Sequence, residues 1–200
     1  LLAKDTILSG PAGGMVGAIA AAQQSNLTKH PIIGFDMGGT STDVFYAAKG
    51  VDNNWERLPE TEVAGQTLMA QRLPIHTVAA GGGSIISTFD GRLRVGPRSA
   101  GSNPGPACYR RGGPLTITDA NLLLGRIQAQ EFPALFGPSR NQTLDLLIVQ
   151  KRFKEIAKQL NSTPEIIAQG ALEIAIEKMA DAIKQVSIFC GYEIREGTLI

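Results

Sequence analysis

A mixed α/β domain is the fold class the sequence predicts, on three observations. A helix of small residues comes first, and short apolar strands separated by glycine-rich turns follow. From Leu144 on, the apolar residues recur with helical period. The 200 residues therefore read as a single unit, with a glycine-rich α/β part over 1–143 and a helical part over 144–200.

The first helix is expected from Ser9 to about Ser25, with Ser9 as N-cap and Pro11 in the first turn. Its small residues, Gly13, Gly14, Gly17 and Ala18 among them, would let it lie close against a neighbour. Pro31 opens a strand from Ile32 to Phe35, Asp36 to Thr42 forms a polar turn, and Val44 to Ala47 is a second strand. Gly50 to Asn54 reads as another turn and Arg57 to Val63 as a third strand, so that three consecutive strands make a meander. In the helical part, Val149, Phe153, Ile156, Ala157 and Leu160 fall on one stripe. Thr163-Pro164-Glu165 is a helix start: a cap, a proline in first position and an acid at the positive end of the dipole. That helix should run to about Cys190 and stop at Gly191. Gly170 inside it costs about 1 kcal/mol relative to Ala, which close packing would explain.

The charge balance, 19 Lys and Arg against 18 Asp and Glu, carries no footprint for nucleic acid or an anionic membrane. No apolar run reaches the roughly 18 residues of a membrane span. Two cysteines, Cys108 and Cys190, are too few for a secreted disulfide scaffold and read as reduced thiols of a cytoplasmic protein. A start on Leu1-Leu2-Ala3 and an end on Thr198-Leu199-Ile200 suggest a piece of a longer polypeptide.

The sharpest chemical signal is Phe35-Asp36-Met37-Gly38-Gly39-Thr40-Ser41-Thr42-Asp43-Val44. A strand delivers a carboxylate, two glycines, three hydroxyls and a second carboxylate, and a new strand begins. This suits a polyphosphate. Gly38 and Gly39 can turn backbone N–H groups inward as an anion-binding nest, and Thr40, Ser41 and Thr42 add neutral donors. Asp36 repels phosphate but can hold Mg²⁺ through the metal's waters. Asp36 and Asp43 are thus the candidate catalytic carboxylates, and Asp36 is the candidate metal ligand. A plain hairpin turn rich in glycine and threonine accounts for the same residues equally well.

Gly81-Gly82-Gly83-Ser84, after the apolar run from Ile75 to Ala80, reads as a further phosphate or substrate loop or as a tight turn between strands. The stretch from Ser99 to Gly113 holds too much Gly and Pro for a regular element, and a loop of that length in a compact domain is more often functional than not. Arg98, Arg110 and Arg111 are its cations, free to face a phosphate or merely solvated. Thr118-Asp119-Ala120-Asn121 reads first as a helix cap. Cys108 has no His or acid partner within its motif and reads as a buried structural thiol, and Cys190 reads as core. His30 and His76 are too few and too isolated for a metal cage built by the protein. A Gly-x-x-x-x-Gly-Lys-Ser/Thr loop is missing, as is a Gly-x-Gly-x-x-Gly following a strand.

The Asp36 to Val44 segment resembles the phosphate-loop hairpin of the actin-like ATPase superfamily. Its wording, together with Ser9-Gly-Pro-Ala-Gly-Gly-Met-Val-Gly-Ala18, is closer still to the hydantoinase A/5-oxoprolinase family. Ala79-Ala-Gly-Gly-Gly-Ser-Ile85, the Val95 to Tyr109 glycine/proline signature, and Thr116 to Asn121 with Leu124-Gly125-Arg126 resemble further blocks of that family in the same order. Phe132-Pro-Ala-Leu-Phe-Gly-Pro138 resembles the long, fused 5-oxoprolinases. The resemblance implies a ribonuclease H-like lobe with helical additions, the second of two lobes that hold a nucleotide between them, with the adenosine-binding segment past Ile200. It implies ATP and Mg²⁺, with Gly38 to Thr42 and Gly81 to Ser84 as cofactor-binding residues. The implied activity is ATP-driven opening of a lactam, 5-oxo-L-proline to L-glutamate first, in glutathione metabolism. The implied partners are the remaining lobes or a hydantoinase B-like subunit, with self-association left open and the isolated chain catalytically silent. A ketone carboxylase subunit of the acetone or acetophenone type shares these motifs and stays open. A non-catalytic actin-like lobe is disfavoured, since actin and the chaperones lack the Ser99 to Gly113 signature.

Overall fold

A computed structural model describes residues 9–48, 60–63, 66–68 and 73–200, which fall into two compact units. The expected turn at Gly50 to Asn54 and the start of the expected third strand lie outside the described residues.

The first unit takes in the chain up to Asp36, then Asp43–Val78 and Ala180–Ile200. Helix α1 (Ser9–Gln24) fills the expected span. It buries Met15, Ile19 and Ala22, spaced four and three apart, against Ile32, Phe45 and Ala47. Its glycines do not serve close packing as expected. A Cβ at Gly10, Gly13 or Gly17 would meet nothing within 4 Å, and only Gly14 has a neighbour, Asp36 Oδ2 at 3.4 Å.

Strands β1 (Ile32–Met37) and β2 (Thr42–Ala47) form the hairpin, each longer than expected by the residues that flank the turn. Buried Gly34 is required by sterics: a Cβ there would stand 1.9 Å from Cε1 of Phe45, whose ring lies over β1. The meander is corrected. Short β3 (Thr61–Val63) pairs with β4 (Gln66–Leu68) in a separate two-stranded ribbon. The strand beside β2 is β5 (Ile75–Val78), in a sheet ordered β5-β2-β1-β8. Strand β8 (Thr198–Leu199) runs parallel to β1, with Ile32 opposite Thr198 and Ile33 opposite Leu199.

The second unit takes in Met37–Thr42 and Ala79–Met179. Strands β6 (Ser84–Phe89) and β7 (Arg92–Ser99) form an antiparallel hairpin. Its two-residue loop, Asp90-Gly91, has positive φ at both positions, the primed turn such loops favour. The unit's core joins Ile86 and Val95 of this hairpin to α2 (Ile117–Leu123), α3 (Leu146–Gln159) and the first part of α4 (Pro164–Val186). The α3 stripe is as expected, with Val149, Phe153 and Ala157 buried, and Asp145 caps the helix by accepting from Ile148 N at 3.1 Å. Thr163 caps α4, accepting from Ile166 N at 3.3 Å. Gly170 is not forced by packing, because a Cβ there would rest 3.5 Å from Leu93 Cδ2, an ordinary contact.

Helix α4 ends at Val186, short of Cys190. The Ser187 hydroxyl donates back to the Ile183 carbonyl, and Ser187 leaves helical geometry at φ −129°. A 3₁₀ turn, Ile188–Cys190, follows, and Gly191 closes it at φ +83°. Cys190 is therefore exposed rather than core. No helix among the described residues is long and apolar enough to cross a membrane.

Candidate functional site

The hairpin turn 38–41 lies in the second unit, and Asp36 and Asp43, the residues flanking its two strand ends, lie in the first. The turn is closed by Gly38 N donating to Ser41 O at 2.9 Å. The N–H groups of Gly39, Thr40 and Ser41 donate to no other described residue, and Gly38 to Thr40 are exposed. Neither Gly38 nor Gly39 has a left-handed φ, so the turn is not a nest of alternating right- and left-handed residues. What glycine supplies at 39 is clearance: a Cβ there would meet nothing within 4 Å. Thr42 is buried and its hydroxyl donates to Ala80 O at 2.7 Å, which removes it from the free donors.

Gly81, Gly82 and Gly83 come directly behind the turn. Gly82 N donates to Gly38 O at 3.3 Å, Gly83 N to Gly39 O at 2.6 Å, and Gly81 N to Ser84 Oγ at 2.9 Å. All three amides are committed inside the protein. A Cβ at Gly81 would lie 2.7 Å from Gly38 O, and one at Gly83 2.8 Å from Gly39 O, so this close backbone approach admits only glycine. Ser99 Oγ approaches Thr40 Oγ1 at 3.5 Å, bringing the start of the glycine/proline loop to the turn.

Within the first unit, Asp36 is exposed and Asp43 half-buried, with Asp43 Oδ1 accepting from Thr77 Oγ1 at 2.5 Å. Both line a recess of about 200 Å³ with Pro11, Gly14 and Phe35. His76 is exposed, as is His30. Among the described residues no group of three or more His, Cys, Asp and Glu is gathered for a metal.

Sequence reasoning missed the support behind the glycines. The cap of α2 is Thr116, not Thr118, and the carboxylate at the third helical position, Asp119, is fully buried. Asp119 accepts from Thr116 N at 2.8 Å, Thr116 Oγ1 at 3.0 Å, Ala107 N at 3.0 Å and Cys108 N at 2.8 Å. The Thr-x-x-Asp spacing resembles a capping box with a shortened acid and was the available signal. Cys108 is buried as expected, but it does have an acid partner: burial, and then the Asp119 carboxylate beside it, push the thiol far above its ordinary value. Arg110 is committed to structure, donating to Asp145 Oδ2 and to Thr143 O, both at 2.7 Å. Among the described residues Arg111 reaches Ser102 O at 3.5 Å, and Arg98 is exposed.

The model of the family described as "Hydantoinase/oxoprolinase" matches residues 2–200. The chain belongs to that family. A 5-oxoprolinase of Pestalotiopsis fici is 47% identical over 203 residues, covering 98% of this chain and 15% of its own. Among solved structures, nucleotide-free acetone carboxylase superposes with TM-score 0.82 at 27% identity, covering 97% of this chain and 26% of that one. The ATP-dependent caprolactamase of Pseudomonas jessenii superposes with TM-score 0.79 at 36% identity, covering 96% and 27%. The chain thus spans about 15% of the length of that 5-oxoprolinase. These superpositions agree with the α/β lobe with helical additions expected from the sequence.

Proposed function

We propose that this chain is the phosphate-holding lobe of an ATP-dependent enzyme that opens a cyclic amide, with 5-oxo-L-proline to L-glutamate the first choice. The observation that carries the reading is the turn 38–41: three amides that donate to no other described residue, and no described atom within 4 Å of a Cβ at Gly39. Hydroxyls of Thr40 and Ser41 stand beside them, and a carboxylate flanks each end. Amides aimed at a transferring phosphoryl group supply fixed positive dipoles that need not reorganise during reaction. Gly81 to Ser84 are assigned to holding this turn rather than to touching phosphate, since their amides are already spent.

Mg²⁺ beside a polyphosphate takes one or two carboxylates and keeps most of its waters, and Asp36 fits that donor set. Asp43, engaged by Thr77, is the better candidate for orienting than for ligating. When bound, the metal neutralises charge on the transferring phosphoryl group. A lactam carbonyl is a poor electrophile because nitrogen donates into it. As its oxygen bonds to the γ-phosphorus, the bond to ADP breaks. Water then adds to the ring carbon and the C–N bond breaks, the nitrogen taking a proton. A second water releases phosphate from the acyl phosphate that remains. This chain's share is phosphate binding; the acceptor site, the adenosine site and hydrolytic residues are assigned to other lobes or to a partner subunit, in the cytoplasm.

The similarity to acetone carboxylase supports a second reading, ATP-dependent carboxylation of a ketone. The higher identities, to a 5-oxoprolinase and a caprolactamase, favour the lactam. In the full-length enzyme that carries this chain, ADP release is measured with 5-oxoproline, caprolactam, a hydantoin, or acetone plus bicarbonate. ADP formation tied to loss of 5-oxoproline without bicarbonate is expected. Turnover only with acetone and bicarbonate would overturn the first reading.

A further inference from the structure

The turn that would hold phosphate does not support itself. Its carbonyls at Gly38 and Gly39 receive Gly82 N and Gly83 N, and Gly83 N shares one peptide plane with Gly82 O, so that plane sets the Gly39 end of the turn. The Gly82–Gly83 plane is fixed in turn from the first turn of α2. Thr118 N donates to Gly82 O at 2.8 Å, and Thr118 Oγ1 donates to the same oxygen at 2.9 Å. Both polar hydrogens of one residue converge on one carbonyl. Gly82 has no side chain with which to resist rotation, and a Cβ there would sit 3.0 Å from Thr118 Oγ1. Thr118 is itself immobilised, because the adjacent Asp119 carboxylate is buried and takes up Thr116, Ala107 and Cys108. The Thr118 hydroxyl takes no part in the Thr116 cap of α2 and bonds to the glycine segment instead.

We propose that Thr118 is a positioning residue for the phosphate-binding turn, acting through the Gly82–Gly83 peptide on Gly39. This rests on the nucleotide reading above. A loosened turn binds polyphosphate less well, so the signature is a rise in KM for ATP rather than a loss of active protein. A merely structural role would lower the melting temperature and the apparent kcat and leave KM in place.

The test uses Thr118→Val, which keeps the shape and the N–H and removes the hydroxyl, with Thr118→Ser as the conservative rescue and Asp36→Asn as control. In the full-length enzyme that carries this chain, ATP kinetics are measured alongside hydrogen exchange over segment 36–43 without nucleotide. Thr118→Val is expected to raise KM for ATP about fivefold, the factor one neutral hydrogen bond carries, with faster exchange in the segment, and Thr118→Ser to restore both. If Thr118→Val does not fold, Thr118→Ala removes the same hydroxyl for the same readouts. Unchanged KM and exchange in the hydroxyl-free variant, with turnover lost in Asp36→Asn, would overturn the positioning role and leave the nucleotide reading standing. Normal turnover in Asp36→Asn would bring down the nucleotide reading, and unchanged exchange in the hydroxyl-free variant would then remove the mechanical claim as well.

Discussion

Gly83→Ala places a methyl group where two oxygens already stand. The added Cβ would lie 2.8 Å from Gly39 O and 2.8 Å from Ser99 Oγ, about 0.5 Å inside ordinary contact. The backbone of Gly83 is not left-handed, so strain at the residue itself is not the issue. The Gly83 N to Gly39 O bond, at 2.6 Å, holds the carbonyl against the position the methyl needs. Either the bond survives and the overpacking costs about 1–3 kcal/mol, or the bond breaks at about 1 kcal/mol and the turn moves. A shift of the turn by a fraction of an ångström is expensive for phosphoryl transfer, where about 1 Å of misplacement can cost on the order of a hundredfold. Gly39→Ala is the matched control. Its Cβ meets nothing within 4 Å, yet it enters the open approach to the turn. In the full-length enzyme, Gly83→Ala should lower both denaturation stability and kcat/KM for ATP, whereas Gly39→Ala should lower only the latter. Wild-type stability and kinetics in Gly83→Ala would refute the close approach of the glycine segment to the hairpin.

Asp119→Asn should cost about 1–3 kcal/mol of unfolding free energy, because one of its two faces then presents an NH₂ group to backbone N–H donors; a melt within 1 °C of wild type, a shift below what about 1 kcal/mol would produce, would contradict this. Gly34→Ala should destabilise by about 1–3 kcal/mol through the Phe45 ring, and Gly34→Ala with Phe45→Leu should recover part of it in chemical denaturation. In the native protein a thiol reagent should modify exposed Cys190 quickly and buried Cys108 only on unfolding; equal rates would refute the burial. The folded thiol of Cys108 holds its proton above the pH at which the unfolded one releases it, so its contribution is present below about pH 9 and fades as pH rises beyond. Cys108→Ala should flatten that alkaline decline in a melting series.

The hairpin and the C-terminal helices were legible because their signals are local: a carboxylate-glycine-hydroxyl turn between two apolar runs, and a stripe with Val149, Phe153 and Ala157 on one face. The pairing of β5 rather than β3 with β2 was not, since neither strand's sequence names its neighbour. Hydrogen bonds that join residues dozens of positions apart were also invisible, such as Thr118 to Gly82 and Gly83 to Gly39. They decide that the triple glycine backs the turn. The exposure of Cys190 was not legible either, because the chain leaves helical geometry at Ser187, which helical periodicity does not register.

The central claim, that the turn 38–41 holds a polyphosphate, is tested most directly by a crystal structure of the protein with a non-hydrolysable ATP analogue and Mg²⁺. Phosphate oxygens should lie within hydrogen-bonding distance of the amides of Gly39 and Thr40, with the Asp36 carboxylate facing the metal or its waters. Phosphates bound elsewhere, with these amides still facing solvent, would contradict it.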